Sequence, residues 1–185
     1  MSILKVARMG HPVLRAKART IDKTELKSPA LQAFIDDMLD TMYEYSGIGL
    51  AAPQVHQSLR VFVAMLDREG RGESDALALI NPEITIVGDQ KVEGWEGCLS
   101  IPEIRGRVPR AHQVLVSALD RHGKRVELDL KDFPARVVQH ETDHLDGILF
   151  LDRMHSFESL TYLDEYSRYH AKRSEKDEDE GGDGE

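Results

Sequence analysis

The sequence predicts an α+β fold in which short, mostly antiparallel strands pack around a central helix, with a further helix near the C-terminal end. Three observations carry this. Apolar residues recur at helical spacing after residue 28, five β-like runs crowd together between residues 60 and 130, and helical patterns resume after Asp132 and again after residue 156. Strands grouped between helices, without strict β-α-β alternation, favour this class over a doubly wound parallel sheet.

The elements follow in order. Ile3, Leu4, Val6, Val13 and Leu14 read as a first buried strand and turn. Ser28 is a natural N-cap, Pro29 suits the first helical position, and Leu31, Phe34, Ile35, Met38, Leu39 and Met42 form one apolar face. That helix should stop near Ser46 and Gly47, with Gly47 as its left-handed terminator. The β-like runs cover residues 60–66, 76–80, 83–87, 113–120 and 124–130, separated by Asn81-Pro82, Gly88-Asp89 and His122-Gly123. A second helix starts at Asp132, has Pro134 in its first turn and stops at Gly147; a third spans residues 156–171.

At 185 residues, with 41% hydrophobic and 31% charged side chains, the expectation is one domain over residues 1–173 and a disordered acidic tail over 174–185. Residues 174–185 hold seven acids against Lys176, so they supply −6 of the formal −9. The remaining net of −3 speaks against a nucleic-acid-binding body. No apolar run approaches the ~18 residues that a membrane span requires. Lys5, Arg8, Arg15, Lys17 and Arg19 precede the first acid, Asp22, as in an organellar leader, but the apolar residues among them read as part of the fold. With Cys98 as the single cysteine, no intrachain disulfide forms, and a reducing cytosol is the expected setting.

The chemistry concentrates in His140-Glu141-Thr142-Asp143-His144. Four residues of helix advance the imidazoles by about 400°, so both face one side, a turn apart, where they can share a metal ion. Glu141 is near enough to reach a water on that ion without being a ligand. The competing reading is a solvated, charged helix face. An open catalytic site needs a third protein ligand, and Cys98, within Glu96-Gly97-Cys98-Leu99-Ser100, is the candidate, although a lone cysteine is more often an inert core residue. Gly49 leaves room for an extended peptide backbone to pair alongside, with Ile48 and Leu50 pointing opposite ways. His11, His56, His112, His122, His155 and His170 fall in no ligand-spaced cluster. Trp95 either shapes a cleft or simply packs, and Glu96 and Asp143 are candidates for ion pairs with an arginine such as Arg110.

Three segments together resemble the ordered motifs of peptide deformylases: Gly47-Ile48-Gly49-Leu50-Ala51-Ala52-Pro53-Gln54, Glu96-Gly97-Cys98-Leu99-Ser100 and His140-Glu141-Thr142-Asp143-His144. The likeness covers most of residues 1–155 and leaves the acidic tail outside. It implies that Cys98, His140 and His144 bind one divalent metal ion, Fe2+ in most bacterial relatives, with Zn2+, Ni2+ or Co2+ as alternatives. It further implies that Glu141 is the general base and acid, and that the Gln54 side chain and the Leu99 amide hold the oxyanion. Ile48 and Gly49 would then line the extended substrate, and Val137, one turn before His140, would wall the methionine pocket. The implied substrates are N-formylmethionyl peptides, deformylated in the bacterial cytoplasm near the ribosomal exit tunnel, with Lys172 and Arg173 as candidate ribosome contacts. Thr142 departs from the family, which usually carries a bulkier apolar residue there. Two rivals remain at this stage: a zinc endopeptidase, which commonly takes His or Glu as third ligand, and a non-catalytic metal-bound scaffold.

Overall fold

The computed structural model describes residues 2–66 and 76–171; the tail over 174–185, with Lys172 and Arg173, lies outside the described residues. Six strands form one antiparallel sheet: β1 (Gly49–Ala51), β2 (Val61–Met65), β3 (Ala76–Cys98), β4 (Ile101–Leu119) and β5 (Arg125–Lys131) lie in that order, and β6 (Thr161–Tyr162) pairs with β4. The helices are α1 (Lys23–Leu26), α2 (Pro29–Glu44), α3 (Asp132–Leu145) and α4 (Leu163–Tyr169). Single 3-10 turns at Pro12–Arg15, Ala52–Val55 and Phe150–Arg153 join them.

Strand β2 explains how the layers are arranged. Its residues Val-Phe-Val-Ala-Met are apolar throughout, because successive side chains point to opposite faces and both faces are covered. Val61 and Val63 pack with Ile35, Met38 and Met42 of α2, whereas Phe62 and Ala64 pack with Val137, Val138 and Leu145 of α3. Each fully buried Ile, Leu, Phe or Met side chain contributes on the order of 1.5–3 kcal/mol. Helix α3 is thereby fixed in the middle of the fold, as the α+β reading expects. A third cluster gathers Leu14, Ile101, Val108, Leu149 and Phe150 around Cys98.

Helix α2 opens as expected, with the Ser28 hydroxyl accepting from the Leu31 amide and Pro29 at the first position. Its end differs from expectation. Ser46, at φ +52°, takes the left-handed position, while the Gly47 amide donates to the Met42 carbonyl at 2.8 Å and the Ser46 amide to the Tyr43 carbonyl at 2.9 Å. These two bonds make a Schellman stop with Gly47 one residue beyond it. Gly47 is small for another reason: a Cβ there would lie 3.0 Å from Leu99 Cδ1.

Three other expectations on element extent change. Residues 3–14 form no strand; the Ala7 amide instead donates to the Gln54 carbonyl and the Met9 amide to the Ser100 carbonyl, and a 3-10 turn follows. Asn81-Pro82 and Gly88-Asp89 do not end strands. They are absorbed as register shifts within β3, which runs for 23 residues, with Asn81 at φ +50° and Gly88 at φ +70°. The last helix is shorter than residues 156–171, because Thr161 and Tyr162 pair with Arg105 and Ile104 of β4 before α4 begins.

Candidate metal centre and active site

The site forms where the tip of the β3–β4 hairpin meets α3. Cys98 ends β3 and is paired with Ile101, so Leu99 and Ser100 form a two-residue turn that pushes the thiol toward the helix. On α3, helical periodicity brings the His140 and His144 rings to 4.9 Å between centroids. The ligating atoms of Cys98, His140 and His144 all lie within 4.8 Å of one another, and Cys98 Sγ is 3.2 Å from His144 Nε2. Among the described residues no other group of three His, Cys, Asp or Glu side chains gathers in this way.

The electrostatics suit a cation. Burial pushes the Cys98 thiol up, but the His144 and His140 imidazoles hold it well below its ordinary value, toward the thiolate that metals require. Burial pushes His140 down, yet its hydrogen bonds with Cys98 and Glu96 raise it well above the ordinary imidazole range. A divalent cation would be met by a thiolate and two neutral imidazoles. One thiolate and two imidazoles form a donor set that takes zinc or iron and leaves a position open, so the residues fit the ion.

Behind the ligands lies a buried charge network. His140 Nδ1 meets Glu96 Oε2 at 2.9 Å, which orients the ring and leaves Nε2 for the ion. Glu96 accepts from Arg110 Nε and Nη2, each at 2.9 Å, and from Arg136 Nη1 at 2.8 Å. Arg110 Nη1 also reaches Asp143 at 2.5 Å, and Asp143 is held from its other side by Arg153 at 2.6 Å. Burial pushes the Glu96 carboxyl up, but Arg110 and His140 keep it well below the usual carboxylate range. The expected pairing of Glu96 and Asp143 with Arg110 therefore occurs, and a single guanidinium serves both.

Gln54 sits in the 3-10 turn after β1. Its Oε1 accepts from the Ala51 amide at 2.8 Å, so its NH₂ group is turned inward, 3.4 Å from Cys98 Sγ and 3.3 Å from Ser100 Oγ. Glu141 is buried on the same side, its carboxyl raised by burial, and its Oε2 has no hydrogen-bond partner. A Cβ on Gly49 would lie 2.7 Å from Glu141 Cδ and 2.9 Å from Cγ, so this glycine makes room for the glutamate. We expect Gly49→Ala to displace the carboxylate and lower turnover by about a hundredfold while metal content is unchanged, checked by rate and metal assays on one sample.

A cavity of about 650 Å³ opens onto these groups, lined among others by Ile48, Gly49, Gln54, Leu99, Val137 and Glu141. Every site residue expected from the sequence either lines this cavity or belongs to the metal cluster. Trp95 also lines it and packs edge-on against Tyr166, with ring centroids 5.0 Å apart, so it both shapes the cleft and anchors α4. His11 and His56 contact each other at 4.7 Å, away from the metal cluster. Sequence reasoning missed Arg136, which crosses from α3 to donate to the carbonyls of Val92 and Val108 as well as to Glu96. It also missed Arg153. Neither residue stands at a spacing that would have marked it.

The departure at Thr142 has a physical cost, since its hydroxyl is buried without a partner. Thr142→Val keeps the shape and removes that hydroxyl. It should raise stability by about 1 kcal/mol, read as a higher urea midpoint at unchanged slope.

Inside an antiparallel α+β frame, an H-E-x-x-H helix facing a buried thiol defines a metallohydrolase whose metal site keeps an open position. Comparison with known proteins narrows this class. The family model for polypeptide deformylase matches residues 3–159. Peptide deformylase 2 of a Nostoc species is 40% identical over 176 residues, covering 93% of this chain and 97% of the relative. The crystal structure of the Met-Ala-Ser-bound class I type b peptide deformylase from Acinetobacter baumannii superposes with a TM-score of 0.76 at 41% identity, covering 83% of this chain and 99% of that one. That of the Thermotoga maritima peptide deformylase does so with a TM-score of 0.77 at 39% identity, covering 84% and 100%. The chain belongs to the polypeptide deformylase family, metal-dependent hydrolases that remove the N-formyl group from newly made polypeptides.

Proposed function

We propose that Cys98, His140 and His144 hold a ferrous ion, that Glu141 is the general base and acid, and that Gln54 and the Leu99 amide hold the oxyanion, with N-formylmethionyl peptides as substrate. The observation that carries this reading is the buried, unpartnered Glu141 Oε2 beside the ligand cluster, because such a group needs a proton donor that the protein does not provide. A bound divalent ion supplies a Lewis acid that makes water acidic enough to react near neutral pH.

The protein residues account for the rest. The attacking water gives its proton to Glu141 Oε2 and adds to the formyl carbon. The developing oxyanion accepts hydrogen bonds from Gln54 Nε2, which the Ala51 amide has already aimed inward, and from the Leu99 amide at the hairpin turn. The C–N bond then breaks, Glu141 returns its proton to the departing amine, and formate and a free N-terminus leave. Val137, which is buried and lines the cavity, walls the pocket for the methionine side chain. Gly49 lets the peptide backbone lie against β1, with Ile48 beside it. The Met-Ala-Ser complex of the Acinetobacter relative supports a peptide of this length as ligand. We place the enzyme in a bacterial cytoplasm, acting on chains emerging from the ribosome.

The test is formate release from formyl-Met-Ala-Ser by anaerobically purified protein, with acetyl-Met-Ala-Ser as the control and metal measured on the same sample. Formate in proportion to bound iron supports the reading. A sample that holds iron and releases none overturns it.

A further inference from the structure

We propose that the mouth of the active-site cleft selects formylated peptides that carry acidic side chains in the two residues after methionine, with Lys5, Arg8 and Arg105 as the specificity-determining cations. This rests on the deformylase reading and deepens it. All three residues line the cavity, with Lys5 and Arg8 exposed and Arg105 half-buried.

Their charges are unspent. Arg110, Arg136 and Arg153 are paired with carboxylates, as are the more distant Arg15, Arg19, Arg60 and Arg121. Lys5, Arg8 and Arg105 have no carboxylate partner among the described residues; Arg105 Nη1 donates only to the backbone carbonyl of Ile104, at 3.0 Å. Three carboxylates also line the cavity. Glu96 is consumed by Arg110, Arg136 and His140, and Glu141 is buried at the reacting centre. That leaves Glu103 alone against three cations, in a chain whose formal charge is −9.

The backbone that carries Lys5 and Arg8 is fixed, and Arg105 is packed against the β3–β4 hairpin. The Ala7 amide donates to the Gln54 carbonyl at 2.7 Å and the Met9 amide to the Ser100 carbonyl at 2.8 Å, which pins the segment bearing Lys5 and Arg8 beside Gln54 and the hairpin turn. Arg105 pairs in register with Gly97, and its Nε would lie 2.6 Å from a Cβ on that glycine, so its guanidinium occupies the space beside Cys98 that a side chain would have filled. An extended peptide advances about 3.3 Å per residue, and charges at the rim of a cleft act over about a Debye length, roughly 8 Å, so we assign their reach to the side chains that follow methionine. Rim charges act on encounter and weak binding, so the preference should appear mainly in KM.

The experiment compares kcat/KM for formyl-Met-Ala-Glu-amide and formyl-Met-Ala-Lys-amide, with formyl-Met-Ala-Ser-amide as a neutral reference. The native enzyme should favour the acidic peptide by about tenfold at low salt, a ratio that shrinks toward one as salt rises to about 0.5 M. The double variant Lys5→Glu/Arg8→Glu should bring the ratio to one or below, and Lys5→Gln/Arg8→Gln should bring it part of the way. A native ratio at or below one, with the neutral peptide turned over, overturns the selectivity and leaves the deformylase reading standing. A ratio unmoved by either double variant overturns the assignment to these residues. If none of the three peptides releases formate, the deformylase reading fails and the selectivity fails with it.

Discussion

Glu141→Ala is expected to lower formate release from formyl-Met-Ala-Ser by about a thousandfold while bound metal stays at the native level. The expectation rests on placement. Glu141 adjoins His140 in sequence but is absent from the cluster of candidate ligating atoms, and its Oε2 is buried with no partner. Removing it should leave the cation site whole and take away the proposed proton acceptor and donor. Burial raises this carboxyl, which costs stability in the ionised form, so the alanine variant should be no less stable than the native protein by thermal melting. A variant that loses metal together with activity would show that Glu141 acts as a ligand instead.

Arg110→Met is expected to have the largest effect on stability, a loss of about 3–5 kcal/mol measured by urea unfolding. Arg110 is 5% exposed and joins Glu96 to Asp143, both buried, so the methionine variant leaves two carboxylates short of their shared counter-charge. Arg136 continues to pair with Glu96 and Arg153 with Asp143, which limits the loss but cannot replace a guanidinium between them. Burial penalises the Arg110 charge while Glu96 and Asp143 favour it, and the balance holds its pKa above the ordinary arginine value. Arg15→Met is the contrast: its partner Asp152 and the arginine itself are about half exposed, and that pair should be worth no more than about 1 kcal/mol. Comparable losses for the two variants would show that burial does not govern the network.

How far the sequence revealed this arrangement depends on the range of each interaction. His140, Glu141 and His144 were legible because their relation is local, four residues of helix. Cys98 lies 42 positions before His140, and periodicity alone cannot bring them together; the flanking residues Glu96, Gly97, Leu99 and Ser100 carried that assignment by resemblance. Arg136 and Arg153 went unread because their partners are set by the register of β3 against β4 and by how α3 crosses it. The strands were found, but their ends were not. Asn81-Pro82 and Gly88-Asp89 carry the composition of turns, and β3 uses the same backbone freedom to shift register while its pairing with β4 resumes on the far side. Gly47 was misjudged for a related reason, since Ser46 supplied the left-handed residue and the glycine was needed for its lack of bulk beside Leu99.

Cys98 is the single cysteine of the 185 residues, it is only 8% exposed, and the surface it retains faces the cavity. A thiol reagent small enough to enter that cavity therefore has one target in the whole chain, and a coordinated sulfur is shielded from it. On the proposed ligand set, the number of labels taken up per chain, read as a mass increment, would count vacant sites. With Cys98 as a metal ligand, the purified protein would thus carry its own gauge of metal loading, independent of any turnover assay.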